Sequence, residues 1–488
     1  MTVEEAGKAT VTPADVSCGG RSQAGDSRRG PVAMDLAIRT VALMAMALAG
    51  GSALVGVQPG LWQAAVISVA TTVLWATGAL PEDQTALAFF ISASVLGLVG
   101  SDVVFAGFTT AALWLVFGGL VIGSAVRKTG LDRVIAAPII ATACGSYRRA
   151  VASVVLLSLV LSVMVPSNMT RIMLIVPVIV ALAEGLGLSA GRGRTGLVTA
   201  GVLANYYFGT GLLPANVPNM ALAGNLEKTL GIHLQFASYF ITYFPVLGLL
   251  KAVLAGILIG LAFQSPVSGE AARVQTVRSA PDWRRRLTAI VLVVALLFWI
   301  TDFIHGISPA WVALAAAFIF MFPGIDIVPL GELGQQASVR PLLYVGGMLG
   351  LGSFIAASGL GSAAAQELAS WIGLHSDGTM REAVLLTGIS ATLGLLATHG
   401  GMAALMPSLA QELATASGLS LNAVIGTIVV GYSIFLLPYQ VPPSVVGFQI
   451  AEIPHRSAVL ATLWIGAVTA AVTVPLQFVW WNAIGFSF

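Results

Sequence analysis

The sequence predicts an all-α polytopic membrane protein made of two inverted-topology repeats, with about 11 transmembrane helices and two re-entrant helical hairpins. Three observations predict it. The 488 residues are 57% hydrophobic and only 9% charged, too few charges to keep a chain of this length soluble. Three short motifs of the first half recur in the second half, in the same order and at nearly one offset. The few basic residues fall almost entirely in alternate loops. Composition therefore excludes a soluble enzyme, a nucleic-acid binder and a disordered scaffold.

Residues 1–33 are polar, Gly/Ser-rich and without periodicity, and read as a disordered cytoplasmic tail. From Met34 the chain turns apolar. Candidate spans lie near 34–57, 61–81, 85–105, 112–126, 198–222, 236–263, 287–304, 309–323, 340–357, 421–446 and 457–484. Two other apolar stretches, 150–185 and 383–414, are too long for one crossing. They are broken centrally, at Pro166-Ser167-Asn168 and at Thr398-His399-Gly400-Gly401. Each reads as a hairpin that dips in and returns to the same side, its irregular backbone satisfied by protein or by a water-filled cavity. A basic cytoplasmic linker, 264–286, separates an N-terminal half (34–263) from a C-terminal half (287–488).

With the N-terminus inside, eighteen of the 23 Lys and Arg lie on the cytoplasmic side, and only Lys228 and Arg381 lie outside. Arg148-Arg149 and Arg192/Arg194 flank the first hairpin on one side, as re-entry requires. The expected location is the plasma (inner) membrane, with a cytoplasmic N-terminus and an external C-terminus.

The repeats carry the functional reading. LLPANVPN (Leu212–Asn219) recurs as LLPYQVPP (Leu436–Pro443), an offset of 224. The segment around Pro177 recurs around Pro407 at 230, and Gly119 is matched by Gly347 at 228. Under the topology above, the first hairpin enters from the cytoplasm and the second from outside, so the halves are inverted copies. Inverted repeats with paired broken helices are the pattern of secondary transporters. Each Pro removes a backbone donor and frees carbonyls for a cation. Each new half-helix start offers N–H groups and a positive dipole to an anion. The two tips and the broken helices 198–222 and 421–446 thus predict an anion site beside cation sites.

Few ionisable residues fall inside the spans. Arg171, one turn past the first tip, either grips an anion with its planar fork or caps backbone carbonyls. His399, at the second tip, donates to the anion, carries a proton, or is a satisfied structural histidine. Lys251, mid-span with no nearby carboxylate in sequence, reads as snorkelling to the cytoplasm, and Arg39 as snorkelling at a span's end. Cys18 and Cys144 offer neither a disulfide framework nor zinc spacing. The chain shows no P-loop, no Glu/His metal constellation and no polar catalytic cluster, so neither ATP, a cofactor nor enzymatic activity is expected.

Several segments resemble the divalent anion:sodium symporter family of the ion transporter superfamily. They are LWATGALPEDQTALAFF (Leu74–Phe90), the Gly-Gly helix and surface segment of Leu113–Ala136, the tip PSNMTR, the break Gly211–Gly224 ending in Pro218-Asn219, and LLPYQVPPSVVGF. The likeness runs in order over roughly residues 61–484. It implies a dicarboxylate, a citrate-like acid or sulfate as substrate, sodium as coupling ion, a lipid bilayer, a homodimer and an elevator motion. It places substrate contacts at Ser167, Asn168, Met169, Arg171, Asn216, Thr398, His399 and Ser444. Sodium ligands are implied at Ser167, Asn168, Gly211, Asn219, Thr398, Gln440 and Pro442. The chain departs from the family at Met169, where the pattern has Thr, at Ala397-Thr398-His399, which keeps none of Ser-Asn-Thr in place, and at Ser444, where Asn is usual. The alternatives are an anion exchanger or proton-linked carrier of the same fold, with Arg171 supplying the charge that sodium would bring, and an anion channel.

Overall fold

The computed structural model describes residues 59–77, 79–143, 145–188, 191–267, 282–329, 340–396 and 398–486. The expected tail (1–33), the first span (34–57), Cys144, Ala397 and most of the basic linker lie outside the described residues. All regular structure among the described residues is helical. Six helices are long and apolar enough to cross a membrane: Ala111–Thr129, Tyr147–Met164, Asn168–Gly185, Phe236–Ala262, Arg340–Ala357 and His455–Ala483.

One order of elements occurs twice. The first half runs through a glycine-bearing helix (Ala111–Thr129), a short helix (Leu131–Ala141), a helical hairpin (Tyr147–Met164 and Asn168–Gly185), a broken helix (Arg192–Thr210, then Val217–Leu230) and a long helix to Ala262. The second half runs through Arg340–Ala357, Leu360–Ile372, a hairpin (Met380–Leu396, then His399–Leu405 and Ala410–Ser417), a broken helix (Leu421–Ser433, then Pro442–Ile450) and His455–Ala483. Glycine C-caps in the left-handed region end several helices, Gly130 (φ 68°) and Gly418 (φ 69°) among them.

The breaks follow from local chemistry. Val165 leaves the helix in extended conformation ahead of Pro166, and Ser167 then caps the second arm by accepting from the Thr170 N–H. Thr398 does the same for Gly401 at the second tip. The arms of the first hairpin have 18 residues each, long enough for a full crossing. The second hairpin is less regular, because a 3-10 turn over Met406–Leu409, with Pro407 as its second residue, divides its returning arm. Within Phe236–Ala262 the stretch Phe244–Leu250 is π-helical, with Pro245 near its start lacking the N–H that an α-turn would use.

Two buried apolar clusters form. One gathers Ala111–Thr129, Val217–Leu230, Pro309–Met321, Arg340–Ala357 and Leu421–Ser433. The other gathers the first hairpin, Arg192–Thr210, Lys251–Ala262 and the Phe435–Ala451 stretch. Side chains of both clusters line one cavity: Val116, Met220 and Tyr344 from the first, Tyr206 and Val441 from the second.

Candidate functional site

The cavity measures about 440 Å³ and is reached by all four irregular segments. The first tip contributes Pro166 to Thr170, the second tip His399 and Gly400, the first break Asn216 to Pro218, and the second break Gln440 to Pro443. Three larger hollows, about 790, 570 and 460 Å³, lie away from both tips. The cavity's place follows from the sequence: helix starts at Asn168, Val217, His399 and Pro442 open onto its wall. Each start leaves backbone N–H groups without intrahelical partners. Together they favour negative charge.

Of the residues expected at the site, Ser167, Asn168, Met169, Asn216, His399, Gln440 and Pro442 line the cavity. Thr398, Ser444, Gly211, Asn219 and Arg171 do not, and each is engaged elsewhere. Thr398 caps the second tip. Ser444 donates to the Pro438 carbonyl at 2.7 Å. Gly211 packs so that a Cβ would stand 2.6 Å from the Phe244 Cα. The Asn219 amide donates to the carbonyls of Gly209 (2.8 Å), Thr210 (3.3 Å) and Leu212 (2.9 Å), and so closes the first break. Arg171 is fully buried, with its guanidinium on the Val165 carbonyl (2.7 Å) and on the side chain and carbonyl of Asn205. Asn205 in turn donates to the side chain of Asn168, a cavity residue.

The second tip is held as tightly. Tyr206 Oη lies 2.6 Å from His399 Nδ1 and donates to the Tyr432 carbonyl at 2.6 Å. Gln440 Nε2 lies 3.0 Å from His399 Nε2 and donates to the Gly394 carbonyl at 2.9 Å. The network assigns a proton to Nδ1, donated to Tyr206, and a lone pair to Nε2, accepting from Gln440. Both ring nitrogens are thereby used within the protein.

Lys251 corrects an expectation. It does not snorkel: it is fully buried, and Nζ donates to the carbonyl (2.7 Å) and hydroxyl (3.1 Å) of Ser433, 5.1 Å above the Tyr207 ring. The π-helical turn just ahead of it packs on Arg192–Thr210, and these bonds offset the loss of water.

Sequence reading missed Tyr206, Tyr344 and the rim charges Glu82, Asp83, Arg127 and Arg340. Asn205-Tyr206-Tyr207 within an apolar span was the available signal, since hydrogen-bonding side chains there must find partners. Arg127 and Arg340 had served only to mark sidedness, and Glu82 and Asp83 only as part of the Leu74–Phe90 segment. Arg340 Nε lies 3.7 Å from Asp83 Oδ2. Glu82, the first residue of the helix Glu82–Leu96, has its carboxyl pushed up to about 7 by burial, with Asp83 adding repulsion. It is thus neutral below pH 7 and becomes a negative charge at the rim above it. For an anion whose own charge does not change above pH 6, the apparent Kd at this rim is expected to rise a few-fold between pH 6 and 8. Glu82→Gln should flatten that rise; an unaltered profile in the variant would assign the titration to another group.

An all-helical membrane chain with four broken segments around one cavity is the architecture of a transporter. Two solved transporters share the fold at low identity. The Alcanivorax borkumensis YdaH transporter is 17% identical over 78% of this chain and 86% of its own, with a TM-score of 0.52. Neisseria gonorrhoeae MtrF, described as an antimetabolite efflux pump, is 11% identical over 81% and 84%, with a TM-score of 0.54. The transmembrane region that defines the sodium:sulfate symporter family matches residues 33–487, and the chain belongs to that family. Among its relatives are a Cupriavidus necator membrane protein, 26% identical over 77% of this chain and 78% of that one, and an uncharacterized Haemophilus influenzae transporter, 25% identical over 84% and 89%. The protein is therefore an integral membrane transporter, and membership implies an anion and sodium as the transported species.

Proposed function

We propose that the protein is a secondary carrier of a small divalent anion, a dicarboxylate, a citrate-like acid or sulfate, bound in the 440 Å³ cavity between the two tips. One observation carries the reading: both hairpin tips and both helix breaks meet at that cavity, with helix starts at its wall. Ser167 and Asn168 would hold the anion from one side, and the second tip, shaped by His399, from the other. The repeated order of elements supports two inverted halves, and Arg127 and Arg340 at the rim support a cavity open to the cytoplasm. An elevator motion of a homodimer is the mode of transport that the family resemblance suggests.

The purified protein in liposomes should give saturable tracer counterflow with a member of a panel of dicarboxylates, citrate and sulfate. Asn168→Ala should reduce it by tenfold or more. Conductance far above carrier turnover without counterflow would replace this reading by an anion channel.

A further inference from the structure

The hollow of about 570 Å³ lies between the first arm of the first hairpin, Tyr147–Met164, and the long helix Phe236–Ala262. Its walls are aliphatic, with Val155 and Leu159 on the arm and Val253 and Ile257 on the long helix. Leu156, Val253, Ile257 and Leu261 are each two-fifths or more exposed, so the hollow opens onto the lipid as a groove. Small residues make room for it: a Cβ on Gly256 would stand 3.0 Å from Val155 Cγ2, and one on Gly260 3.6 Å from Arg148 Cγ. Along the arm the groove runs from Arg148 to Leu159, about 16 Å of helix, against about 15 Å for one leaflet's half of the hydrocarbon core.

Arg148 is the only charged residue of the groove, and it stands at one end. It also lines a second, polar hollow of about 320 Å³, with Ser146, Gln264 and Ser265. Arg149 reaches the same hollow, since a Cβ on Gly145 of its wall would lie 3.4 Å from Arg149 Nη1. Arg192 and Arg194, which flank the same hairpin, are engaged with the Ala262 carbonyl and with Glu184. Arg148 and Arg149 are exposed, and among the described residues neither guanidinium has a hydrogen bond or an ion pair. No acidic side chain lines either hollow. An apolar slot one leaflet long, ending on two unpaired cations and a polar pocket, is complementary to an amphiphile with an anionic head.

We infer that the groove is a binding site for an anionic phospholipid of the leaflet on the basic side of the membrane. The phosphate sits in the polar hollow on Arg148 and Arg149, whose planar forks suit its oxygens. One acyl chain lies in the groove and ends against Phe208 and Leu249. Phe208 belongs to Arg192–Thr210, which leads to the first break, and Leu249 to the π-helical stretch Phe244–Leu250. The lipid thus fills the seam between the hairpin arm and the elements behind it, and by binding only the folded protein it adds stability. Charge alone draws anionic lipid to every arginine on that face. The groove adds a place for the chain.

A phosphatidylglycerol with a photoactivatable group at the end of one acyl chain tests this, in phosphatidylcholine vesicles holding the purified protein. It should label Leu159, Phe208 or residues 249–261 several-fold more than the helix His455–Ala483, and unlabelled phosphatidylglycerol should compete where phosphatidylcholine does not. Label spread evenly over the helices, or missing from the groove because a second copy of the chain covers it, would overturn the inference. Arg148→Gln should cut the groove label fivefold or more, and so should Gly260→Leu, whose Cβ meets only an ordinary contact. Arg133→Gln, exposed and outside both hollows, should leave it unchanged. Equal label in all three variants would overturn the inference as well. In detergent, phosphatidylglycerol should raise the melting temperature of the wild type more than that of Arg148→Gln. A rise given by inorganic phosphate alone and lost in Arg148→Gln would assign the arginines to a free anion instead of a lipid.

Discussion

Replacing Arg171 by glutamine is expected to abolish counterflow and to lower the melting temperature of the purified protein. The shorter amide cannot reach the Val165 carbonyl, the Asn205 side chain and the Asn205 carbonyl at once. Each buried acceptor left bare costs about 1–3 kcal/mol. The effect should spread to the cavity, because Asn205 bridges Arg171 to Asn168. Asn205→Leu should therefore reproduce much of the loss with the guanidinium still present. Wild-type melting and transport in Arg171→Gln would show that the tip is held by other contacts.

The second large effect is expected from a single methyl group. Gly466, in the long helix His455–Ala483, lies against the second break so closely that a Cβ would fall on the Phe435 carbonyl oxygen and 3.0 Å from its carbon. Backbone atoms cannot rotate away as a flexible side chain would. Gly466→Ala should cost roughly 1–3 kcal/mol or more through overpacking. It should also displace Phe435 and, with it, the carbonyls of Ser433 and Ile434 just ahead of it, to which Lys251 and Gln440 donate. Counterflow and melting temperature together check this. Gly60→Ala, where no atom lies within 4 Å of the added Cβ, is the matched control and should leave both unchanged. Wild-type behaviour of Gly466→Ala would mean that the helix and the break separate without cost.

How far the site was legible depended on the range of the interaction. The tips and breaks were readable because Pro166-Ser167-Asn168 and LLPANVPN place turn chemistry inside apolar stretches, and a membrane tolerates such backbone only at a protected site. Their capping was local as well, with Ser167 and Thr398 three residues from the N–H groups they accept. The direction of a charged side chain was not readable. Arg171 turns away from the cavity towards Asn205, 34 positions on, and Lys251 towards Ser433, 182 positions on. The expectation that Lys251 snorkels failed for this reason: with no partner close in sequence, water was the default, and packing supplied a carbonyl instead.

Composition, periodicity and repeated motifs determined by themselves that this chain is a helical membrane protein, where its helices break, and that an anion transporter is the class to which it belongs. These are consequences of solvent and covalent geometry, since apolar length must cross lipid and proline must interrupt a helix. Tertiary structure alone decided that the four breaks share one cavity, that Tyr206 and Gln440 clamp His399, and that Arg171 bonds Asn205 and Lys251 bonds Ser433. Those arrangements join groups far apart in the chain. A buried donor takes whichever acceptor the packed helices bring within about 3 Å of it, and no local pattern encodes that choice.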